Sequence, residues 1–288
     1  MELFSDINLR RGNAGRYGIN SLAYSIGAAV SHGGNIEEEL EVYTKSPDYW
    51  KEVVGIKFYL RDLFKRISNK YFDGREDRNN YSSLLQYIRR VLKKEVAIIT
   101  FNYDSLFEVA MTNTFSKPYR NIHEYVENDM GIYLMKLHGS EKWGRKVDGL
   151  PQNTQPFDFI VKQSSYTSNR NEVEIAHSDE YLPSISVPVV NKDNSYFECP
   201  NVMLDASKNF LKKTTKLIII GWRGLENHFS SDFLSLLNPA AQVYIVSDTQ
   251  QSARKTYENL FEQLKRNKIV YVGDGFSGLL AKNKSIFA

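Results

Sequence analysis

Lys216-Leu217-Ile218-Ile219-Ile220 and Val243-Tyr244-Ile245-Val246, then a helical stretch from about Gln251 to Arg266 and a last run Ile269-Val270-Tyr271-Val272, decide the fold class. These runs are short, largely β-branched and apolar, the pattern of parallel strands covered on both faces. Val96-Ala97-Ile98-Ile99-Thr100 and Tyr133 to Leu137 read the same way, with a helix restarting between them from Asp104 to Met111. Strand-helix-strand alternation of this kind predicts an α/β chain with a doubly wound, mostly parallel sheet.

Outward from the strands, the N-terminal region reads as helical. Asn20 to Tyr87 carries apolar residues at spacings of three and four, broken at His32-Gly33-Gly34 and resuming over Ile36 to Tyr43, Trp50 to Tyr71 and Tyr81 to Leu92. The expected organisation is a helical region over 1–90, part of or packed on the core, and a core over 91–288. Between about 141 and 202 periodicity is lost and Pro151, Pro156, Pro183, Pro188 and Pro200 punctuate a polar stretch. That stretch predicts an irregular insertion, flexible near Gln163 to Asn171.

Composition narrows the partners. The chain has 288 residues, 42% apolar and 25% charged, with a formal net charge of +3. Such a balance argues against direct nucleic-acid binding, and the basic run Arg89-Arg90-Val91-Leu92-Lys93-Lys94 suits a helix C-terminus, where cations meet the dipole. The single Cys199 excludes an internal disulfide and a four-cysteine zinc module, and points to a reducing cytoplasm. It has no His-based motif beside it and reads as structural. His32, His123 and His177 lack ligand spacing, so no metal is expected. No run approaches the ~20 apolar residues of a membrane span, and Met1-Glu2-Leu3-Phe4-Ser5-Asp6 lacks the regions of a signal peptide. The expectation is a cytoplasmic protein with no membrane partner.

Chemistry-bearing residues fall where the strands end, the side on which parallel sheets bind ligands. Thr100-Phe101-Asn102-Tyr103-Asp104 would present Asn102 and Asp104 on one side if extended, with Tyr103 on the other. Both residue types also suit turns and helix starts, and Asp104 could be an N-cap, so capping alone explains one of them; the shared side is of more use to a ligand than to a core. His138 precedes Gly139, which permits a tight turn and close backbone approach; the imidazole could serve as a general base or simply satisfy a strand end. Gly221-Trp222-Arg223-Gly224 offers a stacking ring and a cation after the strongest strand. Ser247-Asp248 follows the next strand, where polar side chains often meet a ribose hydroxyl.

In this order, Ile99-Thr100-Phe101-Asn102-Tyr103-Asp104, Lys136-Leu137-His138-Gly139-Ser140 and Ile219-Ile220-Gly221-Trp222-Arg223-Gly224 resemble the sirtuin-like domain family, in the branch found in bacterial antiphage defence. The resemblance covers roughly Tyr81 to the C-terminus. It implies a Rossmann-like fold and cleavage of NAD, the substrate, at the nicotinamide-ribose bond. By the same resemblance Asn102 would hold the nicotinamide end and position water, Asp104 would stand beside it, and His138, followed by Gly139, would be the catalytic His. Gly221 and Trp222 would line the phosphate and ribose side, Ser247 would contact the adenosine ribose, and Gly275 and Phe276 would lie near the adenine.

Two features depart from the family. Its N-terminal strand and Gly-Ala-Gly-x-Ser-type phosphate loop are not found: Asn13-Ala14-Gly15-Arg16-Tyr17-Gly18 has no apolar strand before it. Met1 to Phe4 resembles the segment that follows that loop, which leaves a downstream start or a degenerate member as the expectation. The cysteine quartet of the protein deacetylases is also missing. The leading expectation is an NAD-hydrolysing defence effector, a homo-oligomer or bound to a defence partner. The alternatives are a catalytically silent nucleotide-binding or scaffolding subunit and an NAD-dependent protein deacylase.

Overall fold

A computed structural model describes residues 16–72, 79–91, 95–163, 169–176, 180–282 and 284–287. Met1 to Phe4, Asn13 to Gly15, Leu92 to Lys94, part of the segment expected to be flexible (164–168) and His177 lie outside the described residues.

In chain order the elements are α1 (Asn20–Ser31), α2 (Ile36–Lys45), α3 (Trp50–Phe72), α4 (Asn80–Val91), β1 (Val96–Thr100), α5 (Leu106–Phe115), β2 (Ile132–Lys136), β3 (Gly139–Lys146), α6 (Pro156–Ile160), β4 (Glu174–Ile175), β5 (Tyr181–Ile185), α7 (Asn201–Lys213), β6 (Lys216–Ile220), α8 (Asn227–Asp232), β7 (Gln242–Val246), α9 (Gln250–Asn259), α10 (Phe261–Leu264), β8 (Lys268–Val272) and α11 (Gly275–Lys282). The fold is mixed α/β, with an N-terminal helical stretch followed by a mostly parallel-strand region in a Rossmann-like arrangement. The chain divides into two compact units, one built from 1–68, 101–105 and 136–200, the other from 69–100, 106–135 and 201–288.

The first unit joins α1 to α3 with an antiparallel sheet ordered β4-β3-β5. Its core gathers Leu22 and Ile26 of α1, Leu40 and Tyr43 of α2, Ile56, Tyr59 and Leu60 of α3, and Leu182 and Ile185 of β5. These helical residues recur at the three- and four-residue spacing that puts them on one face. Asn35 caps α2 by accepting the Glu37 N–H at 3.0 Å, and Glu37 to Glu39 occupy the first turn, where carboxylates favour the helix dipole. Glu41, buried on α2, accepts from both the backbone and side-chain nitrogens of Asn191, fixing the loop after β5 to that helix.

The stretch 141–202, expected to be irregular, is rich in loops as its prolines predict, yet it contributes most of β3 and all of β4 and β5. The strand pattern was hidden because β3, Gly-Ser-Glu-Lys-Trp-Gly-Arg-Lys, buries polar residues instead of alternating them with apolar ones. Ser140, Glu141 and Arg145 are buried alongside Trp143, and the β3–β5 register shifts between Gly139 and Gly144.

In the second unit β6, β7 and β8 run parallel in that order, with Ile220, Val246 and Val272 in register at their carboxyl ends. The central strand is the driest: Val243 and Ile245 are fully buried. A two-stranded sheet of β1 and β2 stands in the same unit. Tyr81 of α4 meets Phe107 of α5 edge-on, with ring centroids 5.5 Å apart, and Tyr133 of β2 lies 4.8 Å from Phe210 of α7.

Candidate functional site

The residues singled out in the sequence fall into two groups, each within one unit. Asn102, Asp104, His138 and Gly139 belong to the first unit, and Gly221, Trp222, Ser247, Gly275 and Phe276 to the second.

In the first group the segment after β1 alternates as an extended chain does. Asn102 is exposed, Tyr103 buried and Asp104 half-buried. The Tyr103 ring enters the core beside Phe64, 5.0 Å between centroids. Its carbonyl accepts the Glu141 N–H at 2.9 Å, which ties the segment to β3.

Lys136, the last residue of β2, is 1% exposed. Its ammonium donates to the Asp104 carbonyl at 2.5 Å, the Ser140 hydroxyl at 2.9 Å and the Tyr103 carbonyl at 3.4 Å. Lys136 thus links the Asn102–Asp104 segment to the turn that carries His138.

His138 is 2% exposed. Its ring lies against Phe101 at 4.7 Å and nearly parallel to Tyr103 at 6.4 Å. Its carbonyl accepts the Ser186 N–H at 2.9 Å, and the Leu137 carbonyl accepts the Glu198 N–H at 3.0 Å. Gly139 follows with φ +84°, and a Cβ there would stand 1.9 Å from the Ser184 carbonyl oxygen. Only glycine fits a backbone that turns left-handed directly against a neighbouring strand.

Behind this turn is a charged cluster that the sequence reading missed. Glu198 pairs with Lys57 of α3 and, at 2.7 Å, with Arg145 of β3. Arg145 also donates to the Asn169 carbonyl at 2.9 Å, and the Ser184 hydroxyl donates to the Glu198 carbonyl at 2.8 Å. Burial pushes the Glu198 carboxyl up, but the Lys57 and Arg145 charges outweigh it and hold the group below the usual carboxylate range. The one available signal was a carboxylate inside Tyr196-Phe197-Glu198-Cys199-Pro200, a short run otherwise suited to a core. Next to it Cys199 is buried and its thiol is pushed up by desolvation, as expected of a structural cysteine.

In the second group the parallel register sets the ends of β6 and β7 side by side. Gly221 donates its N–H to the Val246 carbonyl at 3.1 Å, Ser247 to Val272 at 3.0 Å, and Gly275 to Ser247 at 2.9 Å. Gly221 is exposed with open space over its α-carbon. Trp222 is half-buried: its indole N–H donates to Glu226 and its ring meets Phe229 edge-on at 5.4 Å. The Arg223 carbonyl accepts from Asn259 at 2.8 Å. Phe276, also half-buried, lies 6.0 Å from Tyr81.

Among the described residues no group of three or more His, Cys, Asp or Glu side chains is placed to hold a metal ion. Among the same residues no helix is long and apolar enough to cross a membrane. Compared with known proteins, the chain matches no protein-family model and no curated protein.

Proposed function

We propose that this chain hydrolyses NAD at the nicotinamide-ribose bond. The observation that carries the reading is the junction in the first unit, where the Asn102–Asp104 segment and the His138 turn are joined through Lys136, Ser140 and Glu141. An amide, a carboxylate and an imidazole on adjoining backbone segments supply the three functions the reaction needs.

The reaction breaks the bond between nicotinamide nitrogen and the ribose carbon, and the bonding pair leaves on neutral nicotinamide. The ribose carbon passes through an oxocarbenium-like state, and a water oxygen then bonds to it. Asn102, exposed, orients the departing carboxamide by hydrogen bonding. Asp104, half-buried, favours the developing cation or holds the amide. His138, the deepest of the three, accepts the proton from water or a ribose hydroxyl. The products are nicotinamide and ADP-ribose.

The roles of Gly221 and Trp222 on the phosphate and ribose side, of Ser247 at the adenosine ribose and of Gly275 and Phe276 near the adenine belong to the same proposal. So do the setting, a cytoplasmic antiphage defence effector, and assembly as a homo-oligomer or with a defence partner. The test is direct: the purified chain is incubated with NAD and free nicotinamide is measured, with no acylated peptide present. Release that disappears in His138→Ala, with the circular dichroism spectrum retained, supports the hydrolase. Turnover of His138→Ala at the wild-type rate refutes the catalytic assignment, and release that requires an acylated peptide indicates a deacylase.

The burial of His138 against Phe101 and Tyr103 favours a second reading, a catalytically silent nucleotide-binding or scaffolding subunit in which the imidazole serves the core. Saturable NAD binding without nicotinamide release would select it.

A further inference from the structure

We infer that Lys136 is a positioning residue: its buried ammonium holds the Asn102–Asp104 segment in register with the His138 turn. The inference rests on the proposed hydrolase reading and adds to it a group that does not itself touch substrate.

Lysine is among the side chains least often fully buried, because withdrawing an ammonium from water is costly unless its donors are met. Lys136 is nonetheless one of the largest fully buried side chains among the described residues. The Tyr103, Asp104 and Ser140 acceptors of this ammonium lie in the two segments that carry the candidate chemistry. Two are backbone carbonyls, Tyr103 and Asp104, directly after Asn102; the third is the Ser140 hydroxyl, two residues beyond His138.

An ammonium with three donors can grip carbonyls from one segment and a hydroxyl from the other at once. The Ser140 hydroxyl also lies 3.4 Å from the Tyr103 carbonyl, and the Glu141 N–H donates to that same carbonyl. One strand-end side chain therefore closes a small network whose other members are mostly backbone. Loss of the ammonium leaves the Asp104 carbonyl without this tie and lets Asn102 and Asp104 drift relative to the imidazole. Reactive groups displaced by about 1 Å can lose on the order of 100-fold in rate.

The test is Lys136→Met, which keeps most of the length of the side chain and removes its charge and donors. The expected result is a folded protein whose kcat for nicotinamide release falls about 100-fold while KM stays within roughly threefold, the signature of lost transition-state alignment. Amide hydrogen exchange is followed in parallel: the Glu141 N–H should exchange faster in the variant while the β6–β7 ladder keeps its protection.

Wild-type kcat in a folded Lys136→Met, or unchanged exchange at Glu141, overturns the inference. Should that variant fail to fold, Ser140→Ala removes one acceptor while the ammonium keeps the Tyr103 and Asp104 carbonyls, and the same two readouts decide on a smaller scale. If the wild-type chain releases no nicotinamide, the hydrolase reading falls, and the exchange experiment by itself decides whether Lys136 holds the segment.

Discussion

Replacement of Gly139 by alanine tests the geometry of the His138 turn most sharply. Gly139 has φ +84°, and an added Cβ would lie 1.9 Å from the Ser184 carbonyl oxygen and 2.8 Å from its carbonyl carbon. Those are backbone atoms of β5, so relief requires the strands to part instead of a side chain swinging away. A left-handed conformation costs a residue with a Cβ about 1–2 kcal/mol. Parting the strands threatens two hydrogen bonds that frame the turn, Ser186 N–H to the His138 carbonyl and Glu198 N–H to the Leu137 carbonyl. At about 1 kcal/mol each, the total loss is roughly 3–4 kcal/mol.

Gly33→Ala is the matched control. Gly33 also has a left-handed φ, +73°, but nothing would lie within 4 Å of an added Cβ, so only the conformational cost applies. Urea unfolding of the two variants measures the difference, with Gly139→Ala expected to lose about 2 kcal/mol more than Gly33→Ala. Equal losses would refute the close approach of the turn to β5, and with it the packing described for His138.

Other predictions follow from the neighbouring chemistry. Glu198→Gln leaves the buried Arg145 and the half-buried Lys57 without their counter-charge and should destabilise the chain by about 3 kcal/mol, read by denaturant titration. In the wild type the Glu198 carboxyl is depressed in the folded state, so its contribution is complete above the unfolded carboxylate value of about 4.3. It is lost as pH falls through the lower folded value. The acid limb of the stability curve should therefore be shallower in Glu198→Gln, and an unchanged limb contradicts the ion cluster. Cys199, buried and with its thiol pushed up by desolvation, should resist thiol reagents in the native chain and react on unfolding. Trp222→Phe removes the indole donor to Glu226 while keeping a ring against Phe229, and should cost about 1 kcal/mol by denaturant titration. A larger drop in NAD affinity than that bond explains would support Trp222 as a nucleotide contact.

The sequence alone determined the α/β class and the order of its parts. Val96–Thr100, Lys216–Ile220 and Gln242–Val246 are apolar enough to announce strands, the last two of them parallel, and the helices over Asn20–Ser31, Ile36–Lys45 and Trp50–Phe72 announce themselves by one-faced spacing. These are local signals, written in neighbours a few residues apart. The alternation Asn102, Tyr103, Asp104 was legible for the same reason, and so was the need for glycine after His138.

Only the tertiary structure decided the rest. β3 does not read as a strand because its buried Glu141 and Arg145 look solvated until partners from elsewhere in the chain are supplied. Arg145 meets Glu198 more than fifty residues on, and Lys57 reaches the same carboxylate from a helix far upstream. The ammonium of Lys136 likewise gives no sign in its own strand, where it is one polar residue at the end of an apolar run. The energy of a buried charge depends on what surrounds it, and periodicity does not record those surroundings. The sequence thus marked polar residues at the strand ends, and the fold determined which buried charges lie against them.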